Sequence, residues 1–364
     1  MRRQLGTTLV MLSLVTAALA GVGIGQGPTV AAAQSSGSVD CTFPVTATDA
    51  TGTQITIEDK PERIVVAGPS AAQVMWEIGA QETVVGMPVN QYTSYLEGSE
   101  SRTNVVDSRL QPIREKVVGL NPDLVLVPNI VQNDTVENLR SAGLTVFRFE
   151  KAKSFADVTA KTELTGQLVG EFDSAAKVAA QTRGTVTAVE DAVADADRPR
   201  AYYPMGGGYT AGSNTFINDI IESAGATNIA AEPIDGYDTI SSEVVAQANP
   251  QWLVMQEGFP VPSNAGVNGT TAVQKDQIAR INPNFVNQPG PRTTEVLRTL
   301  AETFHPDAYS DIDFQNIETP APTTCGGSGG GGATETASAI GPGFTPGVAL
   351  VAVILVGLFA RRQH

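Results

Sequence analysis

The sequence predicts an α/β protein: two Rossmann-like α/β lobes joined by one long backbone helix, with a ligand cleft between them. Three observations carry this. Between Thr42 and Asp313 short β-branched runs alternate with helical patterns, as layered α/β folds require. A unit reading strand, helix, Gly-Ala, Glu-x5-Asn-Pro, strand occurs twice. A proline-free stretch from Ser154 to about Asp195, apolar at helical spacing, separates the copies. With 364 residues, 41% of them hydrophobic, the chain is long enough for two cores.

At the N-terminus, Arg2 and Arg3 precede an apolar run from Leu5 to about Ile24, and small residues end in Ala31-Ala32-Ala33. Residues 1–33 therefore read as a secretory signal, so the body leaves the cytoplasm. A segment 34–60 leads into the first lobe, 61–153. There Ile64–Ala67 is a strand, Gly68-Pro69-Ser70 a turn, and Ala71 to Ile78 a helix stopped by Gly79. Thr83–Met87 is the next strand. Glu115 to Pro122 leads into a strand over Asp123–Val127, and a helix over Thr135–Ala142 precedes a strand over Thr145–Arg148.

Residues 154–197 form the connecting helix, capped by Ser154 and spanning about 60 Å if continuous. The second lobe, 198–318, repeats the first: strand Ala201–Pro204, turn Gly206 to Gly212, helix Thr215 to Ser223, Gly225-Ala226, then Glu243 to Pro250 ahead of strand Trp252–Met255. Residues 319–341 are a Gly/Thr-rich linker, too poor in apolar side chains to pack. In 342–364, Pro342-Gly343-Phe344 is followed by an apolar run to Ala360 and by Arg361-Arg362. From Gly343 to Ala360 a helix measures about 27 Å, a short bilayer span with its arginines on the cytoplasmic side.

Composition excludes whole classes of function. Lys and Arg number 23 against 38 Asp and Glu, a formal net charge of −15 spread along the chain, which rules out a nucleic-acid partner. Two histidines and two cysteines leave no material for a His/Cys zinc, haem-thiolate or iron–sulfur centre, so no metal site and no cofactor are expected. Cys41 and Cys325 bracket the body in an oxidising compartment and are expected to pair; Val39-Asp40 lacks the small, apolar character that lipid attachment at Cys41 needs. Asn133-Asp134-Thr135 and Asn268-Gly269-Thr270 are glycosylation sequons, which place them in surface loops.

The C-terminal Pro-Gly-Phe, apolar helix and terminal arginines resemble the tripartite sorting signal that archaeosortases process, which implies replacement of the tail by a lipid anchor. Removal of both end segments would delete Arg2, Arg3, Arg361 and Arg362 and no carboxylate. The body would then be more acidic still, resembling salt-adapted archaeal surface proteins.

The body from about Val45 to Ala308 resembles the substrate-binding proteins of ABC importers for cobalamin and ferric siderophores. The likeness rests on Pro61-Glu62-Arg63-Ile64-Val65-Val66, the Ser70-to-Gly79 helix with Val84-Val85-Gly86, and Glu115-to-Val127. In the second lobe it rests on Thr210-Ala211-Gly212 with Thr215-Phe216, Glu243-to-Met255 and Pro289-Gly290-Pro291-Arg292. The resemblance implies a monomeric extracytoplasmic receptor, held at the outer membrane face, that serves permease subunits driven by a cytoplasmic ATPase. It also implies that Glu115 and Glu243, one per lobe, pair with permease arginines.

Ligands of open α/β sheets bind beyond the carboxyl ends of the strands. The loops expected there carry Ser70, Tyr92, Tyr95, Asn129, Gln132, Tyr209, Thr210 and Phe259; by the resemblance Arg292 reaches the cleft as well, a structural ion pair being the alternative. Tyr92 and Tyr95 lie where the family places aromatic cleft residues. A catecholate siderophore calls for several basic residues, and these loops offer Arg292 with Arg102 and Arg109 nearby. A corrinoid, bulky and amide-rimmed, suits aromatic faces with Asn, Gln, Thr and Tyr, so cobalamin is favoured, a ferric hydroxamate-type chelate is the alternative, and haem comes third. An enzyme is not expected. Gly206-Gly207-Gly208 lacks the Lys-Ser/Thr sequel of a phosphate loop, no Gly-x-Ser-x-Gly elbow occurs, and His305 reads as a helix cap; Trp76 reads as core.

Overall fold

In the computed structural model, residues 41–322 are described; the signal segment, most of the linker with Cys325, and the C-terminal anchor segment lie outside them. Cys41 stands in a disulfide. The body opens with an antiparallel hairpin, β1 (Val45–Thr48) and β2 (Gln54–Ile57), turned by Asp49 and Gly52.

The N-terminal lobe then runs β3 (Ile64–Val66), α1 (Pro69–Glu77), β4 (Val84–Met87), β5 (Thr103–Asn104), α2 (Arg114–Gly119), β6 (Leu124–Val127), α3 (Asn133–Arg140) and β7 (Val146–Arg148). Its strands make one parallel sheet in the order β5-β4-β3-β6-β7. Alternate side chains feed opposite cores, which is why these strands are continuously apolar. Ile64, Val66, Leu124, Leu126 and Phe147 enter one cluster, Val65, Val125, Val127 and Val146 the other.

The connection contains two helices, not the single helix expected over 154–197. They are α4 (Phe155–Val169) and α5 (Phe172–Val193). Ser154 and Asp157 close a capping box at the start of α4. Gly170, at φ 75°, ends it in the left-handed conformation that glycine adopts without a Cβ penalty. The chain then folds back: a Cβ on Gly166 would lie 2.2 Å from the Cβ of Ala175, Glu163 pairs with Arg183 at 2.7 Å, and Phe155 shares a core with Val186 and Val189. Gly170 is thus the turn and Gly166 the close-packing site of a hairpin. Its tip, with Leu168, Val169 and Ala175, packs in the N-terminal lobe, and its open end, with Phe155, Val158, Val186 and Val189, packs in the C-terminal lobe. The strut is therefore doubled. Gly166→Ala is expected to lower stability by about 1–3 kcal/mol in chemical denaturation, because the added methyl overpacks the helix crossing.

The C-terminal lobe comprises β8 (Arg200–Tyr202), β9 (Tyr209–Ala211), α6 (Phe216–Ser223), β10 (Thr227–Asn228), β11 (Tyr237–Thr239), α7 (Ser242–Ala248), β12 (Trp252–Gln256), α8 (Ala265–Asn268), α9 (Thr271–Gln274), β13 (Ile278–Ile281), α10 (Pro283–Val286), α11 (Thr293–Phe304) and α12 (Pro306–Ser310). The sheet is parallel in the order β10-β8-β12-β13, with β9 and β11 paired antiparallel beside it. The chain then returns along α5, where the Glu318 carbonyl would meet a Cβ on Gly184 at 3.0 Å.

The repeat seen in sequence is a repeat in space. Asn121 and Asn249 both end their helices in the left-handed region, at φ 46° and 43°, and Val117 and Val245 are the buried anchors of α2 and α7. A further match was not legible beforehand. Arg63 donates to the carbonyls of Leu120 and Asn121, and Arg200 donates to those of Ala248 and Asn249. In each lobe an arginine at the head of the first sheet strand caps the helix that feeds the neighbouring strand.

Candidate functional site

In each sheet the chain progresses outward one way and then the other, so the switch points lie between β3 and β6 and between β8 and β12. Crevices open at the carboxyl ends of those strands. The exposed large apolar side chains among the described residues agree with that placement. Tyr92 and Ile130 of one lobe and Met205, Tyr209 and Phe259 of the other follow sheet strands, whereas Val118 and Val244 sit on α2 and α7. Phe259 is 57% exposed and Tyr209 43%, an aromatic rim that nothing within its own lobe covers.

The remaining expected ligand residues divide. Ser70, in the first turn of α1, and Asn129, after β6, line one small cavity together with Pro128, Glu150, Lys161 and Pro289. The Asn129 carbonyl is taken by Arg148 at 2.6 Å. Three residues depart from expectation. Thr210 is fully buried and its hydroxyl donates to the Tyr203 carbonyl at 2.7 Å, so it fixes the loop after β8 and does not face the cleft. Arg292 does not reach the cleft either: its Nε donates to Glu77 at 2.6 Å, an ion pair that ties α11 to α1 across the lobes. Tyr95 is a wedge instead of a free aromatic face, half-buried and edge-on to Phe285 at 5.5 Å. Its phenol is raised above the ordinary range, chiefly by burial, with the Gln73 hydrogen bond opposing. Trp76 is half-buried, its indole donating to Glu97 O at 2.9 Å, and His305 is buried at the end of α11 with Nε2 3.0 Å from Gly225 O.

What joins the lobes is a polar chain that sequence reading did not find. Gln73 donates to Tyr95 Oη at 2.9 Å, Tyr95 Oη donates to Gln288 at 3.0 Å, and Gln288 donates to the Tyr92 carbonyl at 2.8 Å. The Arg292 amide closes it by donating to Gln73 Oε1 at 3.1 Å. Gln73 is fully buried in the run Ala71 to Met75, and an amide in an apolar helical run was the available signal. Pro289-Gly290-Pro291 runs so close to α1 that a Cβ on Gly290 would lie 2.4 Å from Gln73 Oε1.

Glu115 and Glu243 occupy the second positions of α2 and α7, helices that lead into the central strands β6 and β12. Helices preceding parallel strands begin at the carboxyl end of the sheet, so both carboxylates stand at the cleft end of their lobes. Both are exposed, and neither has an ion-pair partner among the described residues.

Comparison with known proteins places this architecture. Residues 64–285 match the family described as Periplasmic binding protein. The chain belongs to that family. It is 42% identical over 322 residues to the "Cobalamin-binding protein" of Halobacterium salinarum, covering 84% of this chain and 86% of that protein. It is 27% identical over 281 residues to the "Uncharacterized ABC transporter substrate-binding lipoprotein YvrC" of Bacillus subtilis, covering 74% and 88%. Among solved structures, the "Periplasmic heme-binding protein RhuT" of Roseiflexus sp. RS-1 in apo form aligns with a TM-score of 0.60 at 24% identity, covering 68% of this chain and 99% of that one, a likeness of fold. This family member is the substrate-binding component of an ABC importer, acts outside the cytoplasm with permease and ATPase subunits, and is not an enzyme. No helix among the described residues is long and apolar enough to cross a membrane.

Proposed function

We propose that this protein captures cobalamin between its lobes and hands it to the permease. The observation that carries the reading is the 42% identity, across 84% of the chain, to a protein named for binding cobalamin. The rim of Tyr92, Ile130, Met205, Tyr209 and Phe259 supports it, since broad apolar faces suit a corrin better than a compact, highly charged chelate. The histidine among the described residues is buried against Gly225, so a haem in the cleft would need the phenol of Tyr92 or Tyr209 as its ligand.

Glu115 and Glu243 register the loaded receptor on the permease. The doubled strut, packed into both cores, limits closure to a small movement. The receptor works as a monomer with a Cys41–Cys325 disulfide, and reaches the permease on a tether: residues 319–341 as the linker and 342–364 as an archaeosortase-type signal exchanged for a lipid. Titration of the purified body, residues 41–325, against cobalamin, a ferric hydroxamate and haem tests the ligand. Saturable one-to-one binding of cobalamin alone is expected; preference for the ferric hydroxamate or for haem would overturn the assignment.

A further inference from the structure

Lys161 projects from α4 into the junction of the three parts of the molecule. Its ammonium donates to the Pro289 carbonyl of the C-terminal lobe and lies 3.5 Å from Ser70 Oγ of the N-terminal lobe. No carboxylate among the described residues lies within ion-pair distance of it. The charged groups on the surrounding elements are otherwise engaged. Arg148 is spent on the Asn129 and Val131 carbonyls, Asp157 on the amides of Lys153 and Ser154, and Lys151 lies over the Tyr237 ring, while Glu150 is exposed on the cavity rim. Burial alone pushes the Lys161 amine from 10.5 down to about 8.

A cation drawn out of water without a counter-charge weakens the fold that holds it, and half-buried Lys161 has a carbonyl and a hydroxyl as its partners. Beside this one sits the start of α1, a nine-residue helix whose N-cap is Gly68, with no capping side chain and no acid in its first turn. Helix N-termini favour negative charge. Ser70 in the first turn of α1, Asn129 and Lys161 line, together with Glu150 and Pro289, a cavity of about 30 Å³ at the β3/β6 switch point.

We propose that Lys161, Ser70 and the first turn of α1 form an oxyanion subsite in the floor of the cleft, which receives a phosphate-ester oxygen of the bound nutrient. The subsite rests on the reading that a nutrient is held between the lobes, and it deepens that reading by naming the group recognised. Cobalamin carries one phosphodiester in its nucleotide loop, whereas cobinamide lacks that loop entirely, so a Lys161 effect confined to cobalamin assigns the contact to the loop, whose one anionic group is the phosphate.

Wild type and Lys161→Met are titrated with cobalamin and with dicyanocobinamide, and both apo proteins are melted at pH 7. At least a 10-fold loss for cobalamin, no change for cobinamide and a higher melting temperature for the variant are expected. A merely structural lysine gives the opposite pattern: a lower melting temperature and equal losses, or none, for both corrinoids, and either result overturns the subsite. Should the variant not fold, the Lys161 amine of wild type is titrated by NMR, where its pKa is expected to rise with cobalamin and to stay in place with cobinamide. If wild type binds neither corrinoid, the cobalamin reading fails on its own. The subsite is then read from the same resonance, which must move with inorganic phosphate more than with acetate; a greater response to acetate, or no response to either, removes it.

Discussion

Reversing both acids, Glu115→Lys with Glu243→Lys, is expected to lower uptake by about 100-fold or more while leaving ligand affinity unchanged. Each carboxylate stands exposed at the second position of its helix, on the end of the sheet where the lobes open, with no ion-pair partner among the described residues. A charge reversal there leaves the fold intact and presents like charge to a basic partner, and truncating one member of a charge pair buried at an interface costs about 2–5 kcal/mol. The single variants should be intermediate and unequal, because the helices differ around the acid. Arg114 and Lys116 flank Glu115, whereas Ser242 and Val244 flank Glu243. Radiolabelled uptake in whole cells, set beside titration of the purified receptor, separates the outcomes. Weakened ligand binding would put the two acids in the cleft, and undiminished uptake would remove them from docking.

The second large effect concerns stability. Asp49→Ala is expected to cost about 3–5 kcal/mol, the range for breaking a buried ion pair by removing one partner. The Asp49 side chain is 0% exposed and pairs with Arg140 at 2.6 Å. It also accepts from the Thr51 amide at 2.8 Å, the Thr51 hydroxyl at 2.6 Å and the Arg148 amide at 3.1 Å. One carboxylate thus closes the β1–β2 turn and fastens that hairpin to α3 and β7. Burial by itself would raise its pKa, but the bonds from Thr51 and Arg148 together with the Arg140 charge outweigh burial and hold it below 3.8. The sign follows from linkage: the stabilisation is fully present above the ordinary carboxylate range and is lost as pH falls through the depressed value in the fold. Denaturant melts at pH 7 and pH 3 should therefore show a large gap between wild type and Asp49→Ala at pH 7 and a smaller one at pH 3. An equal gap at both would mean that the loss is one of packing, not charge.

The elements that position the site were legible where one local signal sufficed. Strands buried on both faces announced themselves as β-branched runs such as Leu124–Val127, and Gly79 and Gly225 marked helix ends because only their left-handed φ, 77° and 81°, lets the chain leave there. The Glu-x5-Asn-Pro echo was legible for the same reason. Asn121 and Asn249 must enter the left-handed region, and a proline cannot continue a helix. Misreadings arose where a residue's role depends on a distant partner. Arg292 carries the same charge whether it meets a ligand or Glu77, Thr210 is polar whether it faces a cleft or the Tyr203 carbonyl, and nothing in Tyr95 itself says that Gln73 and Gln288 hold both sides of its hydroxyl.

The sequence by itself determined that the chain holds a duplicated α/β body, because periodicity, turn residues and repeated spacing are local and survive without a partner. Tertiary structure alone decided that the strut is a hairpin and not a rod, since Gly166 and Gly170 allow either and only the packing of Ala175 and Val186 on the returning helix chooses. It alone also placed Lys161 between Ser70 and Pro289, 91 and 128 residues away, where the cost of a half-buried charge depends on what three separate segments bring to it.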